Sequence, residues 1–409
     1  MYYPREKASK GQKLLILSIL TDAPGRGMVG IRIPVAGAVK RLMGRSAIAV
    51  LSVFLALSLL EVSIRIFKPR ELEFWDSSSF RRLRVLPPHF VENIPNGRAT
   101  FIGVPVAINS YGLRGGEVAI PKPPHTSRIL VVGDSITFGY GVREEDTYPQ
   151  ALERLLNANT SDSGDRYEVL NGGTLGGSLS DYHHFLTEKA RVLQPSIVVV
   201  GLALNDILVY DKSDSISEFG SKWQGKQLPV LRRCSRLLLR HSALYFYCFA
   251  RLKSFLYGSS ILNINEVRGP DFVALAPTSP YQEHAWESSF EMLSRISEFC
   301  RQRGYRFVLV VFPMQMQLSQ VQLQFYRQRY HLELSDDAVS GAPQHKLTEF
   351  AARTGIELVD LLPAYREHES EDLYLHNEMI LADPTHPSKR GDHLAAEQIC
   401  HKLFSGCRE

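Results

Sequence analysis

The chain has 409 residues, 44% of them apolar and 22% charged, with a formal net charge of +4. That balance excludes global disorder, and the length allows one large domain with additions or two domains. The positive charge is local: residues 1–45 carry nine Lys/Arg against Glu6 and Asp22, a net of +7, and the other 364 residues sum to −3, which excludes a basic nucleic-acid-binding body.

Residues 1–45 read as a cytoplasmic leader in which Met28 and Met43 are alternative starts. Its "GRGMVG" (25–30) matches a dinucleotide fingerprint in letters only, because a proline precedes it, Pro34 follows, and no strand–helix unit surrounds it. The run "SAIAVLSVFLALSLL" (46–60) is uncharged, and continuing through Glu61 and "VSIRIF" to Phe67 reaches the length of about 20 residues that a span needs. A signal peptide cut near Ala56-Leu57-Ser58 would leave a short apolar core, and a buried globular helix would have no upstream domain to belong to. An uncleaved anchor at 46–67 is the preferred reading. Arg41, Arg45 and six further Lys/Arg after Arg5 put the N-terminus in the cytoplasm and the body outside the inner membrane.

Residues 68–127 hold "LPPHF", "IPNG" and "IPKPPH", which break up regular elements, and read as a stalk or edge segment. From 128 to about 405 apolar β-branched runs alternate with helix-length segments. The runs are 128–133, 167–171, 196–204, 305–313 and 356–362, and the helices are expected near 147–158, 178–194, 284–303, 343–354 and 388–404. Continuous apolar strands between helices predict an α/β fold with a parallel sheet covered on both faces. The alternation is broken by an insert at about 215–283. Within it, 219–265 lacks Asp and Glu but carries Arg232, Arg233, Arg236, Arg240, Arg251 and Lys253. It reads as a helical cap packed on the domain, or as a lid that also meets anionic lipid or an acidic polymer. The five cysteines (234, 248, 300, 400 and 407) show no CxxC pair and no metal spacing. They read as buried and inert, with Cys234–Cys248 as an alternative pairing.

In such sheets ligands bind beyond the carboxyl ends of the strands, so the residues just past each strand matter most. Gly133-Asp134-Ser135 comes after the first, "NGGTLGG" (171–177) after the second and Asn205-Asp206 after the third. Asp383 and His386 lie in "ADPTHPS" before the last helix. A serine hydroxyl becomes a useful nucleophile when a base takes its proton and a third group orients that base. His386 can be the base and Asp383 the orienting group. The Ser135 N–H, a glycine-loop N–H and the Asn205 amide can supply oxyanion donors. Alone, each piece is commonplace: Gly-Asp-Ser fits a turn, Asn-Asp a helix cap, and His183 and His184 read as solvent-facing helix residues without a metal pattern.

The order Gly-Asp-Ser, glycine loop, Asn-Asp, Asp-x-x-His resembles the SGNH hydrolases, also called GDSL-type lipases and esterases, over residues 128–400. "INSYGLRGGE" (108–117) resembles a segment found before the first block in membrane-anchored members. The resemblance implies a flavodoxin-like three-layer α/β/α domain, with Ser135 as nucleophile, His386 as base and Asp383 as third triad member. It makes Ser135, Gly176 and Asn205 the oxyanion hole, and implies no cofactor or metal. Gly201 stands four residues before Asn205, two more than in the family's commoner Gly-x-Asn-Asp. With the anchor, the resemblance implies an extracytoplasmic esterase that removes O-acyl groups, acetyl first among them, from a carbohydrate or related ester. Alternatives are an O-acyltransferase for an envelope or exported polysaccharide, a lysophospholipase, and a non-catalytic glycan-binding scaffold. The oligomeric state is left open.

Overall fold

The computed structural model describes residues 35–67, 84–85, 90–158, 166–210, 235, 237–239, 241–258, 269–375, 383–404 and 407. The chain divides into two compact units, 1–67 and 68–409. In the first, helix α1 (Val35–Phe67) contains a stretch, Arg45–Phe67, with mean hydropathy 2.4 and no buried residues, long and apolar enough to cross a membrane. Glu61, the one acid inside it, pairs with Arg65 one turn on at 2.7 Å. The expected leader, apart from its last residues, lies outside the described residues, as does "GRGMVG".

The second unit opens with short antiparallel pairs, β1 (Arg84–Val85) with β2 (Glu92–Asn93) and β3 (Arg98–Phe101) with β4 (Val104–Ala107). The β3–β4 connection is Ile102-Gly103, at φ 51° and 71°. Two left-handed residues match the twist of the strands they join, but an isoleucine there gives no turn signal in the sequence. The segment expected as a stalk is thus folded from residue 90 onward.

The five predicted core strands are all present: β5 (Thr126–Gly133), β6 (Arg166–Gly173), β7 (Ile197–Ala203), β8 (Arg306–Phe312) and β9 (Glu357–Asp360). They form one parallel sheet in the order β6-β5-β7-β8-β9. Numbered along the chain this is 2-1-3-4-5, the flavodoxin-like order, whose switch point lies between β5 and β7. Successive residues of β5 point to opposite faces. Leu130 and Val132 join a core with helices α4 (Leu179–Leu193), α6 (Pro280–Gln302) and α8 (Ala342–Thr354). Ile129 and Val131 join one with α3 (Tyr148–Ala158), α9 (Leu362–Glu367) and α10 (Lys389–Leu403). The fold is therefore the expected three-layer sandwich.

Three elements differ from the sequence reading. Gly172 and Gly173, expected in a loop, finish β6, where their backbones pair with Val132 and Gly133. Helix α6 starts at Pro280, before the expected 284, because the Ser279 hydroxyl caps it and proline is well suited to the first turn. Helix α7 (Gln320–Tyr330) was not foreseen, since "QVQLQFYRQRY" is mostly polar. Of the basic insert, helix α5 (Ala243–Gly258) and a 3-10 stretch (Gly269–Leu275) are seen, whereas Arg232, Arg233, Arg236 and Arg240 lie outside the described residues.

Candidate active site

Gly133, Gly173 and Gly201 stand side by side across the end of the sheet, in register on β5, β6 and β7. Over them lies a single helical turn, α2 (Ser135–Phe138). A Cβ on Gly133 would stand 2.0 Å from Thr137 Oγ1, on Gly173 2.1 Å from the Phe138 nitrogen, and on Gly201 2.3 Å from the Tyr148 hydroxyl. The missing side chains let α2 sit directly on the strand ends. Gly201, two positions early by the family's spacing, is therefore a strand residue that makes room for Thr137 and Tyr148, whose hydroxyls bond at 2.7 Å.

Ser135 opens α2 and is capped by Asp134, whose Oδ1 accepts from the Ile136 N–H at 2.8 Å. From the far end of the sequence, His386 Nε2 reaches Ser135 Oγ at 2.8 Å, and His386 Nδ1 meets Asp383 Oδ2 at 2.6 Å. The other Asp383 oxygen accepts from the backbone N–H groups of Thr385 and His386, both at 3.1 Å. A carboxylate held in this way accepts the hydrogen bond of Nδ1–H and leaves Nε2 to accept from the serine hydroxyl. The side chains of His386 and Asp383 are 17% and 11% exposed, so their hydrogen bond is shielded, while Ser135 is only partly buried.

The structure brings the oxyanion candidates to the same edge. The Ser135 and Gly176 N–H groups donate to nothing among the described residues. Gly176 is exposed at φ 67°, a conformation that favours glycine, on the loop after β6. Asn205 lies on the turn after β7. Its Nδ2 is 3.4 Å from Asp134 Oδ2, and its buried Oδ1 has no partner. Complete burial raises the Asp134 carboxyl above its ordinary range. Asp206 is raised further, by burial and then by Asp134, and both its oxygens accept from the Tyr182 hydroxyl, at 3.0 and 3.1 Å. Asp206 thus braces the turn that carries Asn205.

Residues 90–117 supply contacts that no strand-end motif announces. Asn93 Nδ2 donates to Gly173 O at 2.8 Å, and the Arg114 N–H donates to Asn171 O at 2.9 Å. The Arg114 guanidinium donates to the carbonyls of Phe138, of Gly139 at 2.7 Å and of Val142 at 2.6 Å. Burial lowers its pKa to about 10, with Glu144 and Asp392 as the nearest opposing charges, so it stays charged at neutral pH. Tyr140, on the turn that Arg114 grips, stacks on the His386 ring at 4.1 Å and 21°. Phe101 of the β3–β4 hairpin meets Tyr140 edge-on at 5.4 Å. The sequence marked 108–117 only as a familiar segment, and Tyr140 carried no signal.

His183 and His184 are half-buried instead of solvent-facing. His184 stacks on Phe90 at 4.0 Å and contacts Glu92 at 3.1 Å, and His183 packs edge-on to Phe299. Among the described residues no cluster of His, Cys, Asp or Glu could hold a metal. Cys400 and Cys407 form a disulfide, which corrects their reading as inert thiols. Cys248 is free and exposed, so the Cys234–Cys248 alternative is not formed.

The family model described as GDSL-like Lipase/Acylhydrolase matches residues 131–394. Among solved structures, a catalytic mutant of Axe2, an acetylxylan esterase from Geobacillus stearothermophilus, is 14% identical, with TM-score 0.39 over 69% of this chain and 97% of that one. The acetyl xylan esterase AlAXEase is 12% identical, with TM-score 0.37 over 68% of this chain and 100% of that one. TesA is 15% identical, with TM-score 0.36 over 68% of this chain and 99% of that one. No curated protein matches the chain.

Proposed function

The chain belongs to the GDSL-like lipase/acylhydrolase family and is a serine ester hydrolase; on that premise we propose that it removes O-acyl groups, acetyl first among them, from a carbohydrate ester outside the cytoplasmic membrane. The observation that carries this is the hydrogen-bonded chain Ser135–His386–Asp383 at the switch point of the sheet.

In this reading His386 Nε2 takes the hydroxyl proton as Ser135 Oγ attacks the ester carbonyl carbon. Asp383 holds the imidazole in the required tautomer and stabilises the imidazolium that forms. The negative oxygen of the tetrahedral intermediate is met by the Ser135 and Gly176 N–H groups, which have no other partner among the described residues, and by the Asn205 amide. On collapse, His386 returns the proton to the departing sugar hydroxyl and an acyl-Ser135 remains. Water then attacks that acyl group with His386 again as base, and Ser135 is expelled carrying a proton. No cofactor enters the scheme.

Support for the location comes from α1, whose 23-residue apolar stretch suits an anchor, and from the basic residues ahead of it, which favour an N-terminus inside. An acetylated glycan of the envelope or of export is the ester such a tethered domain meets. The test is Ser135→Ala in the full chain. It should abolish p-nitrophenyl acetate turnover and fluorophosphonate labelling, and full activity in that variant overturns the proposal. Mass spectrometry of acetylated oligosaccharides then checks the acceptor, with acetyl lost for hydrolysis and gained for transfer.

A further inference from the structure

The turn after α2 is built around Arg114. Its buried guanidinium collects three carbonyls that lie 24, 25 and 28 residues further along the chain. Gly139 is fitted to that approach. It sits at φ 84°, and an added Cβ would stand 2.6 Å from Arg114 Nη1. The guanidinium carbon also lies 5.1 Å from the centre of the Phe138 ring. Planar, always-charged arginine suits such multiple capture, whereas a lysine offers only a point charge. The next residue along is Tyr140, whose ring lies on the face of His386.

We propose that Arg114 is a positioning residue: by fixing the turn 138–142 it holds the Tyr140 ring against the His386 imidazole, and so keeps Nε2 aimed at Ser135. Arg114 touches neither the substrate nor the reacting atoms and acts through Tyr140. The inference deepens the proposed function and rests on the reading of Ser135 and His386 given there. Catalysis is sensitive to such support, because a misplacement of about 1 Å can cost about a hundredfold in rate.

The experiment measures fluorophosphonate labelling of the full chain at a series of probe concentrations, giving a maximal rate and a half-saturating concentration. Arg114→Met and Tyr140→Ala should each lower the maximal rate by about ten- to a hundredfold and leave half-saturation unchanged. Tyr140→Phe keeps the ring and should recover most of the rate that Tyr140→Ala loses, and Arg114→Lys should recover part of the rate. The decisive variant is Arg114→Met with Tyr140→Ala, which should label no more slowly than the slower single variant, since the two changes break one connection. Losses that multiply, or an Arg114→Met change confined to melting temperature, overturn the inference. If Arg114→Met does not fold, Arg114→Lys takes its place in the cycle with the same criteria. A chain that is unlabelled at Ser135 overturns the proposed function itself, and normal labelling with an indifferent Arg114 overturns this inference alone.

Discussion

Ser135 and His386 meet at 2.8 Å, yet they are held in place by different means. The serine side belongs to the core. Gly133 ends a strand buried on both faces, Asp134 caps the turn, three glycines let that turn settle on the sheet, and buried Arg114 closes it from behind. The histidine side is a loop tied down at its ends. Leu375 N–H donates to His386 O at 3.0 Å, Ser388 N–H to Leu373 O at 2.9 Å and Gln315 N–H to Pro384 O at 2.7 Å. The imidazole itself is met by Asp383 at its edge and by Tyr140 on its face. Ser135 is thus placed by contacts within the core of the domain, whereas His386 is placed by hydrogen bonds of a loop and by two side chains. Changes on the serine side should disturb stability and rate together, and changes on the histidine side the rate alone.

Asp383→Asn gives the sharpest test. It should lower kcat by about 10⁴-fold, because the amide donates to Nδ1 and imposes the wrong tautomer. Its melting temperature should stay close to that of the unaltered chain, since the asparagine oxygen still accepts the Thr385 and His386 N–H groups. A large drop in melting temperature would erase the distinction between the two sides. Asn205→Ala, which removes one oxyanion donor, should lower kcat by about 10²- to 10³-fold with little change in KM. Gly133→Ala should cost about 1–3 kcal/mol in chemical denaturation, because the new methyl meets Thr137 Oγ1 at 2.0 Å and Gly201 O at 2.8 Å. Activity should fall with it, and a stable but inactive variant would detach the serine from the core.

The smallest effect concerns pH. Asp206 has a folded-state pKa raised well above its ordinary 3.8, by burial and then by Asp134. The folded chain therefore keeps this proton after the unfolded chain has released it, and the group costs stability progressively as pH rises above about 4. Asp206→Asn should flatten that part of the melting-temperature profile, and an unchanged slope would show that Asp206 does not contribute to it.

Much of this was legible in the residue order. Runs such as "RILVVG" and "SIVVVGLAL" announce strands buried on both faces, and their alternation with amphipathic segments carries the layer architecture. Ser135, Gly176, Asn205, Asp383 and His386 could be picked out because each follows a strand or precedes a helix in a short motif. Arg114 could not be given a task in that way, since its partners are carbonyls far along the chain and backbone oxygens leave no mark on composition. The β3–β4 hairpin was hidden because Ile102-Gly103 replaces the Asn-Gly that would announce such a turn. Gly173 looked like a loop residue, because what requires a glycine there is a helix lying across the strand end. That contact comes from Phe138, on another part of the chain.

The hairpin and the Arg114 contacts also bear on how this enzyme could be inherited in pieces. All the side chains of the proposed triad and oxyanion hole lie after residue 128, and the family match begins at 131. Yet Asn93, Phe101 and Arg114 reach forward to grip Gly173, Tyr140 and the turn behind Ser135. A recombination that joined a new leader just before the first core strand would transmit every motif and lose the clamp. A portion that keeps both the clamp and the β1–β2 pair begins no later than Arg84.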